Sequence, residues 1–195
     1  MKPRYFFSGD HHFWHKNIIK PEYSNRKLFM GEDGPDIEAM NKKMIADWQA
    51  TVSENDVVCY VGDLCFGGYK KSLNLIEQLT GKFLYVRGNH DNKAVLKALE
   101  DSGKLLAPIT YLKELEIEGQ HIVLTHCAHK IWFNSHHGSW NLFGHSHGSL
   151  KEEGKQMDVG VDAIAAKGLG YIPVPFEYVR GILDSRKRHV VDHHS

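Results

Sequence analysis

Aspartate, asparagine and histidine side chains recur in short clusters along this chain, and these residue types bind metal ions. The 195 residues include 14 histidines, of which His193 and His194 lie near the C-terminus and most of the others fall into four clusters. Polar groups of this kind are costly to gather unless a partner such as a cation needs them. The motifs are Asp10-His11-His12, Gly62-Asp63, Gly88-Asn89-His90-Asp91, His126 and Gly144-His145-Ser146-His147.

Taken alone, each motif has an ordinary structural explanation. The first could be a solvated turn, and Gly88 and Asn89 suit a turn because both residue types tolerate positive φ. His126 alone could be a core histidine with satisfied hydrogen bonds. His145 and His147 are harder to explain in this way, because positions i and i+2 of an extended segment share a face. The coincidence of all five motifs favours one shared metal site.

The motifs fall where short apolar runs end, and the chain alternates such runs with amphipathic helical patterns. Strands are predicted in "RYFFSGD", in 56–63, in 82–91, in "SWNLFGHSHG" and in "MDVGVDAI", with a hairpin around Glu118-Gly119. Helices are predicted over 36–50, 69–79 and 93–100 and after Pro175. This order predicts an α/β fold with two packed sheets and helices outside them. Ligand sites in open α/β sheets lie at the carboxyl ends of strands, so the motifs should share one rim.

Composition limits the class of protein. The chain has 42% hydrophobic residues, enough for one domain, which we assign to residues 1–185 with a polar tail at 186–195. The 24 basic and 24 acidic residues balance, so bulk charge does not drive binding to nucleic acid or to a membrane. An odd cysteine count without a CxxC pair, no visible signal peptide and no bilayer-spanning apolar run indicate a cytoplasmic protein. The sequence sets no oligomeric state.

The donor set indicates which ions would bind. Oxygen and imidazole ligands without thiolate suit Mn, Fe, Zn, Co or Ni better than calcium. The number of candidate ligands indicates two ions. A pair of ions can clamp the attacking and leaving oxygens of an in-line displacement at phosphorus, and it can lower the pKa of a water between them.

In their order along the chain, the five motifs resemble those of the calcineurin-like metallophosphoesterases. The resemblance spans residues 10–147 and is specific, since it joins five ordered motifs. The stretches "HKNII" and "DVGVDA" are similar to a small single-domain bacterial and phage branch. The resemblance implies a four-layer fold, a two-sheet β-sandwich flanked by helices. It also implies a dinuclear phosphoesterase that uses two divalent transition-metal ions, manganese favoured.

The resemblance also implies a role for each residue of the motifs. The ligands of the first ion would be Asp10, His12 and His147, those of the second Asn89, His126 and His145, and Asp63 would bridge both. His90 would contact the phosphate and stabilise or protonate the leaving oxygen, as an imidazole can near neutral pH. Asp91 would orient His90 and favour its protonated form. Where the family often has an acidic residue after Gly-Asp, this chain has Cys65 and glycines, which predicts a reshaped substrate pocket.

The metal ligands do not choose the substrate. A phosphodiester, in a nucleotide or a short single-stranded oligonucleotide, is favoured because segment 13–35 mixes aromatic rings with cations. The alternative for this segment is a lid whose aromatics pack on the body. The alternatives for function are a phosphomonoesterase and, from another class, a catalytically silent metal-binding scaffold.

Three further residues are candidates for binding the substrate. Arg87, directly before Gly88, could reach phosphate, or it could form a structural ion pair. His136 and His137 lie in "KIWFNSHHGSW", a loop that is expected to overhang the site. Either could touch phosphate or could simply lie at the surface.

Overall fold

The computed structural model describes residues 2–188 and has ten strands and five α-helices in that range. The strands are β1 Tyr5–Ser8, β2 Met30–Gly31, β3 Gly34–Pro35, β4 Val57–Tyr60, β5 Lys82–Tyr85, β6 Leu112–Ile117, β7 Gln120–Thr125, β8 Trp140–Phe143, β9 Gln156–Asp158 and β10 Val174–Pro175. The helices are α1 Ile37–Thr51, α2 Tyr69–Gln78, α3 Lys93–Asp101, α4 Val161–Ala166 and α5 Phe176–Leu183.

The first sheet has the order β10-β1-β4-β5 and carries three of the motifs. Strands β1, β4 and β5 are parallel, with Phe7 opposite Cys59 and Cys59 opposite Leu84, and β10 pairs antiparallel with β1. Because a parallel pair needs a crossover, α1 and α2 return the chain between successive strands. Parallel pairing also places the carboxyl ends of β1, β4 and β5 at one edge.

The two faces of the first sheet bury side chains in different cores. Phe6 packs on one face in a cluster with Met40 and Trp48 of α1. Phe7, one residue later, points to the other face and packs in a cluster with Trp140 and Leu142 of the second sheet. Alternation along one strand therefore holds helices on one side and a sheet on the other.

The second sheet has the order β6-β7-β8-β9 and carries the other two motifs. β6 and β7 form an antiparallel hairpin, while β7, β8 and β9 run parallel. Helices α4 and α5 add Ile164, Phe176 and Val179 to the core between the sheets. The fold prediction of an α/β protein with two packed sheets and flanking helices is confirmed.

One predicted strand is wrong in its second half. "MDVGVDAI" forms β9 only to Asp158, and after Gly160 the chain turns into α4. The carboxylate of Asp158 accepts a hydrogen bond from the amide of Gly160 at 2.8 Å, which turns the backbone out of the strand. Asp162 consequently lies in the first turn of a helix.

The predicted polar tail begins with a residue that contacts the packed body. Arg186 donates hydrogen bonds to the carbonyl of Gln156 and to the carboxylate of Glu152, at 2.6 Å each, so it belongs to the packed body. Residues 189–195 lie outside the described residues. Within residues 2–188, the structure has no helix long and apolar enough to cross a membrane.

Candidate metal centre

All seven predicted ligands come together where strands of both sheets end. Asp10 and His12 follow β1, Asp63 follows β4, and Asn89 follows β5. His126 follows β7, and the two histidines of the Gly-His-x-His motif follow β8. Because the two sheets pack face to face, these ends form one rim.

The backbone at this rim is strained. Eight residues other than glycine have positive φ in residues 2–188, and five of them are predicted ligands: Asp10, His12, Asp63, His145 and His147. This left-handed region is unfavourable for most side chains, and such residues concentrate at functional sites. The sequence predicts that His145 and His147 share one face of an extended segment. With positive φ at both residues they instead point to different groups of ligands.

Two glycines of the motifs permit the close approach of the ligands. A Cβ atom at Gly88 would collide with Oδ1 of Asp63, and one at Gly144 would collide with Oδ2 of Asp10. The glycines of the motifs are explained by packing against carboxylates as well as by turn geometry.

Asp10, His12 and His147 form the buried ligand group. One ligand atom of each lies within 4.8 Å of the others, and the exposed fractions of Asp10 and His12 are 0% and 2%. Oδ1 of Asp10 and both ring nitrogens of His12 are buried without a hydrogen-bond partner. Burial raises the pKa of Asp10 to about 8, against the attraction of His147, and burial lowers the pKa of His12.

Asn89, His126 and His145 form the open ligand group. Oδ1 of Asn89 lies 2.7 Å from Nε2 of His126 and 3.0 Å from Nδ1 of His145. Nδ1 of His126 lies 2.7 Å from the carbonyl of Val61, so this nitrogen carries a proton and donates it. Asn89 and His145 are exposed to solvent.

Asp63 lies between the two groups. Its Oδ2 is 3.5 Å from Nε2 of His12 and 3.4 Å from Nε2 of His126, and its Oδ1 accepts a hydrogen bond from the amide of His90 at 2.8 Å. One carboxylate oxygen thus faces a histidine of each group, which is the position that a bridging ligand requires.

The arrangement fits divalent cations. Nε2 of His126 faces oxygen atoms of Asn89 and Asp63, and the neighbouring carboxylates favour a positive charge at this position. A cation bound there in place of the proton would take lone pairs from these oxygen atoms and from Nε2, and it would also supply partners for Asp10 and His12. Oxygen and imidazole donors without thiolate fit a divalent transition metal.

A buried ion pair that sequence reasoning missed supports the buried ligand group. Nδ1 of His147 lies 2.6 Å from Oδ2 of Asp162, which leaves Nε2 free to bind an ion. Arg26 is 0% exposed and donates two hydrogen bonds to Asp162, at 2.8 and 2.9 Å, and one to the carbonyl of Asp10. A carboxylate that holds the other nitrogen of a ligand histidine fixes both its tautomer and its orientation.

Arg26 also corrects the interpretation of segment 13–35. Its cation, one of those in the segment that could pair with phosphate, is instead buried and paired with Asp162. Phe13 and Phe29 are buried in the core that contains Met40 and Trp48 of α1, so these two aromatics pack on the body of the protein. Tyr23, in contrast, is 56% exposed. The only sequence signal for Asp162 was the looser resemblance of "DVGVDA", and Arg26 had none.

His90 and Asp91 differ in their surroundings. His90 is exposed at the rim, with its ring centroid 5.4 Å from that of His12. The carboxylate of Asp91 is buried and accepts hydrogen bonds from the amides of Asp63, Leu64 and Gly88 and from the hydroxyl of Tyr85. Three of these bonds tie Asp91 to the backbone of two ligand loops and the fourth ties it to Tyr85, so the carboxylate is engaged with these groups and not, as expected, with the ring of His90.

Arg87 borders the open ligand group. Asn89, His126, Arg87 and Tyr111 line one cavity of about 270 Å³. The guanidinium donates to the hydroxyl of Tyr111 at 2.7 Å and, within residues 2–188, forms no ion pair with a carboxylate. The structural ion pair considered from the sequence is absent from this part of the chain, and the cation faces the cavity.

His136 and His137 are not brought to the site. The chain leaves the rim after β7 and must return to the start of the parallel strand β8, at the opposite edge of the sheet. The neighbouring Asn134 and Gly138 accordingly contact His121 and Gln120 at the beginning of β7. The predicted contact of His136 or His137 with substrate phosphate is wrong for this reason.

Comparison with known proteins establishes the fold but not the family. No family model matches the sequence. An uncharacterized protein of Methanocaldococcus jannaschii is 28% identical over 196 residues, which cover 96% of this chain and 94% of the relative. The crystal structure of a protein of unknown function from Aquifex aeolicus superposes with a TM-score of 0.66 at 18% identity, covering 93% of this chain and all of that one.

A more distant structural match has a stated activity. YfcE, a phosphoesterase from E. coli, matches with a TM-score of 0.43 at 18% identity, over 80% of this chain and 78% of that one. A TM-score below 0.5 does not establish a shared fold, so this activity is a property of YfcE alone. Fold and site together define an α/β protein with two packed sheets and a candidate divalent-metal centre at their common rim.

Proposed function

We propose that this protein is a phosphoesterase of the calcineurin-like metallophosphoesterase type, which hydrolyses a phosphate ester with two divalent transition-metal ions. The observation that carries this proposal is the position of Asp63, one oxygen of which lies between His12 of the buried ligand group and His126 of the open ligand group. Manganese is the ion that the family resemblance favours, and the carboxylate, amide and imidazole donors also suit Fe, Ni, Zn or Co. The buried ligand group and Asp63 would hold the first ion, and the open ligand group and Asp63 the second.

The two ions, when bound, lower the pKa of water and offset the negative charge of the phosphate ester. The residues of the chain then have separate tasks. His90, exposed beside both groups, contacts the phosphate and transfers a proton to the leaving oxygen. The amide of His90 donates to Asp63, so the same residue also fixes the bridging carboxylate.

The substrate-binding groups lie beside the open ligand group. Arg87 pairs with an anionic oxygen of the substrate, since its guanidinium faces the cavity that Asn89 and His126 also line. The ring of Tyr111, 72% exposed, offers a face to a base or another flat group. These features support a phosphodiester of a nucleotide or a short single-stranded oligonucleotide. The three cysteines are free thiols, which supports a reducing, cytoplasmic setting.

Metal reconstitution tests the proposed function. The purified protein is stripped of metal and supplied separately with Mn, Ni, Zn, Co and Mg, and hydrolysis of a bis-aryl phosphodiester is measured beside that of an aryl phosphomonoester. We expect metal-dependent turnover with the diester preferred. Turnover of the monoester alone would identify the protein as a phosphomonoesterase. Protein that holds two ions and hydrolyses neither ester would favour the alternative of a catalytically silent metal-binding scaffold.

A further inference from the structure

Two rings beside His90, those of His15 and Phe66, have no part in the function proposed so far. Phe66 lies in "GDLCFGG", where the acidic residue common in the resembled family is missing, and His15 begins "HKNII". Their centroids are 4.1 Å apart and their planes are inclined by 19°, so the two rings are stacked. We call this pair the ring wall.

The backbone of two ligand loops fixes the ring wall. The amide of His15 donates to the carbonyl of His12 at 3.0 Å, and the amide of Phe66 donates to the carbonyl of Phe13 at 2.8 Å. A parallel bridge between Phe13 and Cys65 continues this pairing. The ring wall is therefore held by the same segments that present Asp10, His12 and Asp63.

The ring wall faces the group that would act on the leaving oxygen. The Phe66 centroid lies 5.4 Å from that of His90 and 5.6 Å from that of His12. Although His15 covers one face of Phe66, 39% of Phe66 remains exposed to solvent. An exposed ring that is fixed on one side and faces a catalytic histidine can receive part of a substrate.

We propose that the ring wall binds the ester group whose oxygen leaves, and that this group carries a flat aromatic ring. The inference rests on the proposed function, because His90 marks the leaving side. Residues 64–68 carry no charge, so this side of the site suits an uncharged ring better than a cation. An offset or edge-on contact with an aromatic ring favours it over an aliphatic group of similar size by about 3- to 10-fold.

Binding of phosphonates, which mimic the ester with its leaving group attached by a C–P bond that cannot be hydrolysed, tests this proposal without turnover. Phenylphosphonate, cyclohexylphosphonate and methylphosphonate are titrated calorimetrically into metal-loaded protein. We expect phenylphosphonate to bind about 3- to 10-fold more tightly than cyclohexylphosphonate. This ratio should fall to about one in Phe66→Leu, whereas it should persist in His15→Phe, which keeps a flat ring against Phe66.

The matched control is Phe133→Leu, which changes another exposed phenylalanine, in contact with His121 near the start of β7. It should keep the full ratio. Equal affinity of wild-type protein for the phenyl and cyclohexyl compounds, or an unchanged ratio in Phe66→Leu with two ions bound, would overturn the ring wall and leave the proposed function intact. If no phosphonate bound to wild-type protein that holds two ions, the proposed function would fail and the ring wall with it.

Discussion

The two ligand groups of the metal centre differ in how the protein surrounds them. The buried ligand group includes two residues almost without solvent contact, Asp10 and His12, and the Arg26–Asp162 ion pair lies behind it. The open ligand group has exposed Asn89 and His145, with only a backbone carbonyl behind His126. In the proposed function, the first would hold an ion in a fixed geometry, and the second would leave room for a substrate to reach the other ion.

Electrostatics distinguishes Asp10 from His126. Burial raises the pKa of Asp10 to about 8, against the attraction of His147. In the open ligand group, burial lowers the pKa of His126, but the hydrogen bond and the charge of Asp63 and the charge of Asp10 outweigh it and raise this pKa to about 9. The carboxylates around His126 therefore favour a positive charge at its ring.

Asp63→Asn should have the largest effect, because it removes the charge that both groups share. We expect less than one ion bound per chain and no measurable turnover. Metal content after gel filtration, measured by mass spectrometry, checks the first result, and diester hydrolysis checks the second. Two tightly bound ions in Asp63→Asn would show that the groups do not depend on a common carboxylate.

His90→Ala should separate chemistry from metal binding. Within residues 2–188 the side chain of His90 forms no hydrogen bond with either ligand group, so both ions should remain, while turnover falls by about 10²- to 10⁴-fold, the usual range for a general acid. Metal content and kcat are measured on one preparation. Full activity on a substrate with a poor leaving group would contradict the acid role.

Asp162→Asn and Asn89→Ala should affect different ions. Loss of the Asp162 charge weakens the support of His147, so the buried ligand group should bind its ion about 10- to 100-fold more weakly. Asn89→Ala should weaken only the other ion. Calorimetric titration of metal-free protein resolves the two steps, and weakening of the same step by both variants would contradict the assignment of ligands to two groups.

Asp56→Asn should have the smallest effect, and it serves as the control for stability. Burial opposes ionisation of Asp56, but hydrogen bonds from Arg4 and Ser53 lower the pKa of its carboxyl. Because the pKa of Asp56 is lower in the folded than in the unfolded protein, its ionised form stabilises the fold above about pH 4. This contribution is lost as the pH falls through the lower pKa of the folded state. Asp56→Asn should lose about 1 kcal/mol or less at pH 7 by urea unfolding and keep both ions, since Arg4 is half exposed. Loss of an ion would show that general destabilisation can mimic a ligand effect.

The sequence predicts the ligands better than the groups that support them. Asp10 and Asp63 follow parallel strands of the first sheet, so their convergence follows from parallel pairing, and His126 joins them because the second sheet packs face to face on the first. Arg26 and Asp162 are 136 positions apart and meet only after both sheets are formed, so no local pattern could pair them. The sequence predicts His136 and His137 beside the site, but the loop that joins the parallel strands β7 and β8 must run from the rim to the opposite edge of the sheet.

Local geometry was also beyond the sequence patterns. Alternation predicts His145 and His147 on one face of a strand, yet both have positive φ and turn toward different groups. Gly160 ends β9 early, and only then can Asp162 reach His147 from a helix. Strain of this kind persists where surrounding contacts determine it, and a periodicity argument cannot detect such contacts.

The most direct test of the central claim, that two ions share Asp63, is a manganese titration of metal-free protein followed by electron paramagnetic resonance. The first equivalent should give the signal of an isolated Mn²⁺ ion. The second should replace it with the spectrum of two spin-coupled ions, and Asp63→Asn should not show this change. Saturation at one ion, or two ions with independent signals in wild-type protein, would contradict a dinuclear centre.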